Sequence, residues 1–102
     1  MANIGHVQYI KGTNKDQLLA VWMHSDYGSG TGRAHGKISS GFEGHYDITY
    51  YDDQNAKLTD LKLEIKKDDD RYFLTWRNSN KVISFGIGLV NCDVLSASYI
   101  DV

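Results

Sequence analysis

The 102-residue sequence contains no proline and only one cysteine, Cys92. A lone cysteine excludes an internal disulfide framework, and its place between Asn91 and Asp93 predicts a partly exposed thiol in a polar turn. The absence of proline removes one common device that stops the edges of open sheets from pairing with other chains. A sheet that closes on itself has no edges, so this absence suits a closed sheet.

Long apolar runs and a charge excess are also missing. No segment approaches the ~20 apolar residues of a membrane helix, and the first residues lack the basic-then-apolar pattern of a secretory signal. We therefore expect a cytoplasmic protein without membrane contact. With 11 basic and 13 acidic residues and a net charge of -2, the chain lacks the basic excess typical of nucleic-acid binders, and no nucleic-acid partner is expected.

Metal and cofactor motifs are not found. The four histidines, at positions 6, 24, 35 and 45, show no ligand spacing, and we expect them to be solvated. The glycine-rich segment Gly28–Gly32 opens a strand rather than a helix, so we interpret it as a flexible loop or lid and not as a phosphate site. Neither a catalytic residue nor a cofactor is predicted.

What is present is period-two alternation over almost the whole chain. Short alternating runs are separated by turn-rich segments, which predicts an all-β sandwich or barrel in a single domain, 1–102. The runs predict eight strands at 7–11, 18–24, 31–38, 45–51, 58–66, 72–77, 82–90 and 94–100. The alternative is a short helix within 14–23, because residues 15–20 include good helix formers.

The alternation also predicts which side chains face the interior, because successive side chains point to opposite faces of a strand. Four strands have one charged or polar face, so their other face goes inside. The predicted inward sets are Gly32, Ala34 and Gly36; Tyr46, Ile48 and Tyr50; Leu61, Leu63 and Ile65; and Tyr72, Leu74 and Trp76. Large aromatic side chains on some strands therefore face glycines on another across the interior. The rings either fill the space next to the glycines or leave a pocket there.

The seventh strand is ambiguous, since one face carries Ser84, Gly86 and Gly88 and the other carries only apolar residues. We favour inward glycines, which places four apolar side chains in a row outside. An exposed row of this kind marks an interface. The sequence thus predicts a homodimer through Ile83, Phe85, Ile87 and Leu89.

Several short patterns resemble the bacterial lipocalin-like proteins of the wider calycin group. They are Tyr-x-Leu-x-Trp at 72–76, Gly-Ile-Gly at 86–88, Leu-Ser-Ala-Ser-Tyr at 95–99 and the run 44–50. The resemblance covers roughly residues 30 to 100; the Gly-x-Trp opening of classical lipocalins is missing, because Val21 and not glycine precedes Trp22. It implies an eight-stranded antiparallel up-and-down barrel with a small apolar or aromatic ligand, although the group also includes enzymes and protease inhibitors.

The leading functional hypothesis is a barrel that binds a small hydrophobic or aromatic ligand. Rings supply apolar contact and tyrosine hydroxyls orient the ligand. The predicted ligand-binding residues are Trp22, Tyr46, Tyr50, Tyr72, Trp76 and Tyr99.

Two alternatives remain open. The first is a protein-interaction module, such as an inhibitor or an immunity-type partner, with a filled core. The second is a barrel isomerase or cyclase, which ranks last because no activated group is visible in the sequence.

Overall fold

The computed structural model describes residues 2–14, 16–37 and 41–102. These residues form eight antiparallel strands and, within the described ranges, no helix, so the helical alternative for 14–23 is wrong. The strands are β1 (Ile4–Lys11), β2 (Gln17–His24), β3 (Gly28–Gly36), β4 (Gly44–Asp52), β5 (Lys57–Asp68), β6 (Arg71–Asn78), β7 (Lys81–Asn91) and β8 (Val94–Asp101). No part of the described chain is a helix long and apolar enough to cross a membrane.

Each strand pairs with its neighbours in the sequence, and β1 pairs with β8 to close the sheet. The result is an up-and-down barrel, which confirms the predicted fold class and the architecture that the calycin resemblance implies. We call the end with the β2–β3, β4–β5 and β6–β7 turns the upper end, and the opposite end the lower end. The predicted end of the third strand at Ile38 and the predicted turn at Ser39 and Ser40 lie outside the described residues.

The predicted inward faces are confirmed. Tyr46, Ile48, Leu74 and Trp76 are 1–3% exposed, while their sequence neighbours face outward. Gly32 and Ala34 are buried on β3. Alternation succeeds here because a charged side chain on one face leaves only one orientation that keeps charge in water.

The seventh strand follows the favoured orientation, with one correction. Ser84 is buried, whereas Phe85, Ile87 and Leu89 are 49–57% exposed. Ile83 is instead half-buried and packs against the core. A register shift opposite Trp76 and Arg77 inserts an extra residue there, and this bulge turns Ile83 inward and removes it from the predicted row.

The glycine-rich segment 28–32 is the second place where the structure differs from the prediction. We expected a flexible loop, but β3 begins at Gly28, and His24, Met23 and Trp22 of β2 pair with residues 28, 29 and 30. Glycine has a low strand propensity, which explains the wrong prediction. Hydrogen bonds from β2 on one side and β4 on the other override that propensity.

Candidate functional site

The predicted ligand-binding rings divide between the two ends of the barrel. Trp22, Tyr50, Trp76 and Tyr99 lie toward the upper end, and we call them the upper ring cluster. The centroids of Trp22 and Tyr50 are 6.4 Å apart with an edge-on geometry, and those of Trp76 and Tyr99 are 5.1 Å apart. These distances fall in the range of favourable aromatic pairs.

Tyr46 and Tyr72 lie toward the lower end and do not join that cluster. Both are buried, and the Tyr46 hydroxyl donates a hydrogen bond to the carbonyl oxygen of Phe42 at 2.8 Å. Burial raises the pKa of Tyr46 to about 12. Together with Phe42, which is 4% exposed, these rings pack the lower end of the core.

A ring that the sequence reasoning missed links the upper cluster together. Tyr9 is fully buried on β1, and its hydroxyl oxygen lies 2.6 Å from that of Tyr50. The indole N–H of Trp76 donates to the same Tyr50 oxygen at 2.7 Å. The alternation of Val7, Gln8 and Tyr9 was the available signal, since outward Gln8 implies inward Tyr9.

These rings fill the centre of the barrel. Tyr9, Leu74 and Trp76 are 0–3% exposed, which leaves no water-sized space against them, whereas Tyr50 and Tyr99 are half-buried. Burial raises the pKa of Tyr9 and Tyr50 well above the ordinary value and that of Tyr99 to about 12. The hydroxyls are therefore neutral donors and acceptors near neutral pH, not bases.

His24 corrects the expectation that all histidines are solvated. Its side chain is 2% exposed, and Nε2 lies 3.0 Å from Oδ2 of Asp101. Its Nδ1 accepts the backbone N–H of Asp26 at 3.0 Å, so the proton is on Nε2, and the ring is neutral. His24 faces inward because it continues the alternating inward row of β2 that includes Trp22.

Asp101 joins His24 to a buried serine. The Ser84 hydroxyl donates to Oδ1 of Asp101 at 2.7 Å, while His24 donates to Oδ2. Serine, histidine and aspartate meet here, but the serine contacts the carboxylate and not the imidazole. The His24 imidazole is therefore not placed to accept the Ser84 proton, and the arrangement differs from a Ser-His-Asp triad.

Two glycines make room for upper cluster rings. The ring of Tyr99 lies over Gly5, where a Cβ atom would overlap the phenol. On β3, Gly30 lies against the Trp22 indole, which donates to the carbonyl oxygens of Thr31 and Tyr51 at 2.9 and 3.2 Å. The pattern of rings facing glycines thus results in direct packing at these two positions.

Two grooves lie on the surface of the barrel. One, of about 670 Å³, runs beside Trp22, Gly30 and the turn 52–55. The other, of about 390 Å³, is bordered by Tyr46, His45 and Arg77. Tyr50, Trp76 and Tyr99 line neither groove.

The outer wall has two contrasting halves. The outward positions of β3 to β6 carry most of the charge, and ion pairs link neighbouring strands. Asp47 pairs with Lys62, and Glu64 lies 3.5 Å from His45 and 3.6 Å from Arg77. We call this side the charged half.

The outward positions of β7, β8, β1 and β2 form the uncharged face. Away from the strand ends, these described positions carry no Asp, Glu, Lys or Arg. The apolar members that are more than a third exposed are Ile4, Ile10, Val21, Met23, Phe85, Ile87, Leu89 and Ile100. They form continuous rows because Ile4 pairs with Ile100, and Ile100 with Phe85, across adjacent strands.

Comparison with known proteins identified no relatives. No family model matches the chain, no curated protein matches it, and no solved structure matches it. A functional assignment therefore depends on the geometry of this chain alone.

Proposed function

We propose that this protein is a non-enzymatic interaction module that docks a macromolecular partner on its uncharged face. The observation that carries the proposal is the contrast between the two halves of the outer wall. Side chains such as Phe85, Ile87 and Leu89 are about half exposed, although each could have been polar at no cost to the core. Contiguous apolar surface of this kind marks interaction sites.

The packed interior supports the same proposal. The centre of the barrel is occupied by Tyr9 and Trp76, which are joined through the Tyr50 hydroxyl. A barrel that binds a ligand deep inside needs space that these rings occupy. The outer wall is then the surface that remains for recognition.

A photo-crosslinking amino acid tests this proposal. We would place p-benzoylphenylalanine at Ile87, on the uncharged face, and at Leu58 as the matched control. Leu58 is also apolar and 52% exposed, against 51% for Ile87, but it lies on β5 outside the face. Irradiation in cells should give a discrete adduct from position 87 and none from position 58. Equal labelling from both positions, or none from either, would contradict the proposal.

A second candidate function is the binding of a small aromatic ligand at the upper ring cluster, as in a calycin-type protein. One observation favours it: Tyr50 and Tyr99 are only half-buried, and Tyr99 lies two residues before the partly exposed Asp101 on β8. Rings and a polar group at one barrel end are the usual components of a ligand site.

Tryptophan fluorescence tests this second candidate. The variant Trp22→Phe leaves Trp76 as the only tryptophan, and nitrobenzene serves as a small aromatic quencher. Specific binding predicts quenching that saturates, whereas random collisions give quenching that rises linearly with concentration. The Trp76→Phe variant, which reports from Trp22, is the control. Linear quenching of Trp76 would exclude a site for this probe.

A further inference from the structure

We infer that the partner on the uncharged face is a second copy of this chain, packed face to face about a two-fold axis. The inference rests on the proposed function, because it names the occupant of the same surface. It is carried by three features of the face: its area, its lack of charge and the pairing of its polar side chains.

The area is sufficient for a stable dimer. A standard interface buries ~800 Å² on each partner, and the molecule exposes 6422 Å² in total. Such an interface therefore needs about an eighth of the surface. The uncharged face spans four of the eight strands, and β7, β8 and β1 within it lie side by side, so a contact of this size has room on the face.

The absence of charge makes the face compatible with itself. In a two-fold dimer the same patch meets its own copy, so a charged group near the axis would face a like charge. The charged half, with Asp47, Lys62 and Glu64 on its surface, would bury several ions in any such contact. The uncharged face carries no such cost, since its rows are built from Ile, Phe, Leu, Val and Met.

Four polar side chains within the face pair with one another. Nδ1 of His6 lies 3.3 Å from the Ser98 hydroxyl, and Nε2 of Gln8 donates to the Ser96 hydroxyl at 3.4 Å. These pairs join β1 to β8 along the centre of the face. Each pair already satisfies part of the hydrogen-bonding capacity of its side chains, so a partner that covers them has fewer polar groups to match.

Two neighbouring strands supply the contact. The exposed side chains of Phe85, Ile87 and Leu89 on β7 lie beside Ile100 of β8, which pairs with Phe85. Rotation by 180° about an axis beside these two strands brings this apolar patch onto its own copy. The two convex barrel walls then meet along β7 and β8, with the polar pairs of β1 and β8 at the edge of the contact.

Sedimentation analysis of the full chain tests the inference. We expect a dimer at micromolar concentration. Phe85→Asp should raise the dimer dissociation constant at least ~100-fold, because an isologous interface contains the substituted residue twice. Ile100→Asp, on the neighbouring strand, should act in the same direction. Leu58→Asp is the matched control and should remain dimeric, and near-UV circular dichroism checks that each variant is folded.

The outcomes separate the inference from the proposed function. A wild-type chain that stays monomeric at ~100 μM, or a dimer that Phe85→Asp and Ile100→Asp leave unchanged, overturns the second copy as partner. If the monomeric chain still gives a face-specific photo-adduct, the proposed function survives with a foreign protein as the occupant. If it instead binds phospholipid vesicles through Phe85, both the second copy and a protein partner are wrong.

Discussion

The hydroxyl oxygens of Tyr9 and Tyr50 lie 2.6 Å apart, although the two residues are 41 positions apart and their strands, β1 and β4, are not neighbours in the sheet. Backbone pairing cannot produce this contact, because it joins only adjacent strands. The two side chains meet across the enclosed interior, and the Trp76 indole N–H of β6 donates to the Tyr50 oxygen. The three rings thus connect separate parts of the barrel wall across the interior.

Removal of the Tyr50 hydroxyl should destabilise the protein more than removal of the Tyr9 hydroxyl. Tyr50→Phe removes the oxygen that contacts both the Tyr9 hydroxyl and the Trp76 N–H, so we expect a loss of ~2–4 kcal/mol in the free energy of unfolding. Tyr9→Phe removes one contact and should cost ~1–2 kcal/mol. Urea unfolding of both variants and of the double variant measures these values. Equal losses in the two single variants would contradict a Tyr50 oxygen that contacts both Tyr9 and Trp76.

Stability should fall steeply at alkaline pH. Burial raises the pKa of Tyr9 and Tyr50 well above the ordinary value of 10.0, and that of Tyr46 and Tyr99 to about 12. The folded state thus keeps these phenols neutral after the unfolded chain ionises. Their contribution is fully present below pH 10 and is lost as the pH rises toward 12, by ~1.4 kcal/mol per pH unit for each group.

Absorbance titration at 295 nm, in buffer and in urea, checks this pH dependence. Four of the seven tyrosines should titrate later in the folded protein than in the unfolded one. Tyr9→Phe is the control and should lose stability with pH less steeply than the wild type. Identical titration curves in buffer and in urea would show that these phenols are not buried in solution.

Gly30 should tolerate no side chain. A Cβ atom there would overlap the carbonyl oxygen of Tyr51, which accepts the Trp22 N–H. We expect Gly30→Ala to lower the free energy of unfolding by ~2–4 kcal/mol through overpacking and loss of this bond. Ser29→Ala, one position away and exposed, should stay within ~0.5 kcal/mol of the wild type. Thermal unfolding compares the two, and similar melting temperatures would refute close packing at Gly30.

His24 should be the Nε2–H tautomer. Its Nδ1 accepts the Asp26 backbone N–H, and its Nε2 faces Asp101. Nitrogen-15 NMR of the imidazole measures this directly, and a proton on Nδ1 would contradict the geometry. In Asp101→Asn the amide can accept from only one of His24 and Ser84, so we expect a loss of ~1–3 kcal/mol in stability. Ser84→Ala removes a single bond and should cost less.

The sequence correctly predicted most of the strands of the barrel and their inward faces, but only part of the candidate site. Four of the predicted ligand-binding rings meet toward the upper end, yet Tyr46 and Tyr72 pack the lower end. Ile83 leaves the predicted row because of a bulge, and a bulge depends on how two strands align rather than on local alternation. His24 was expected in solvent because its partner, Asp101, lies 77 positions away and could not be identified without the closed sheet.

The amino-acid order by itself determined the number of strands, their turns and the face that each strand turns inward. These properties are local: charged Lys62 and Glu64 leave Leu63 only one way to point, whatever the neighbouring strands do. Closure of the barrel decided which inward side chains meet, including Tyr9 with Tyr50 and Asp101 with His24. Such contacts depend on the register and stagger of all eight strands together, and no single segment of the chain contains that information.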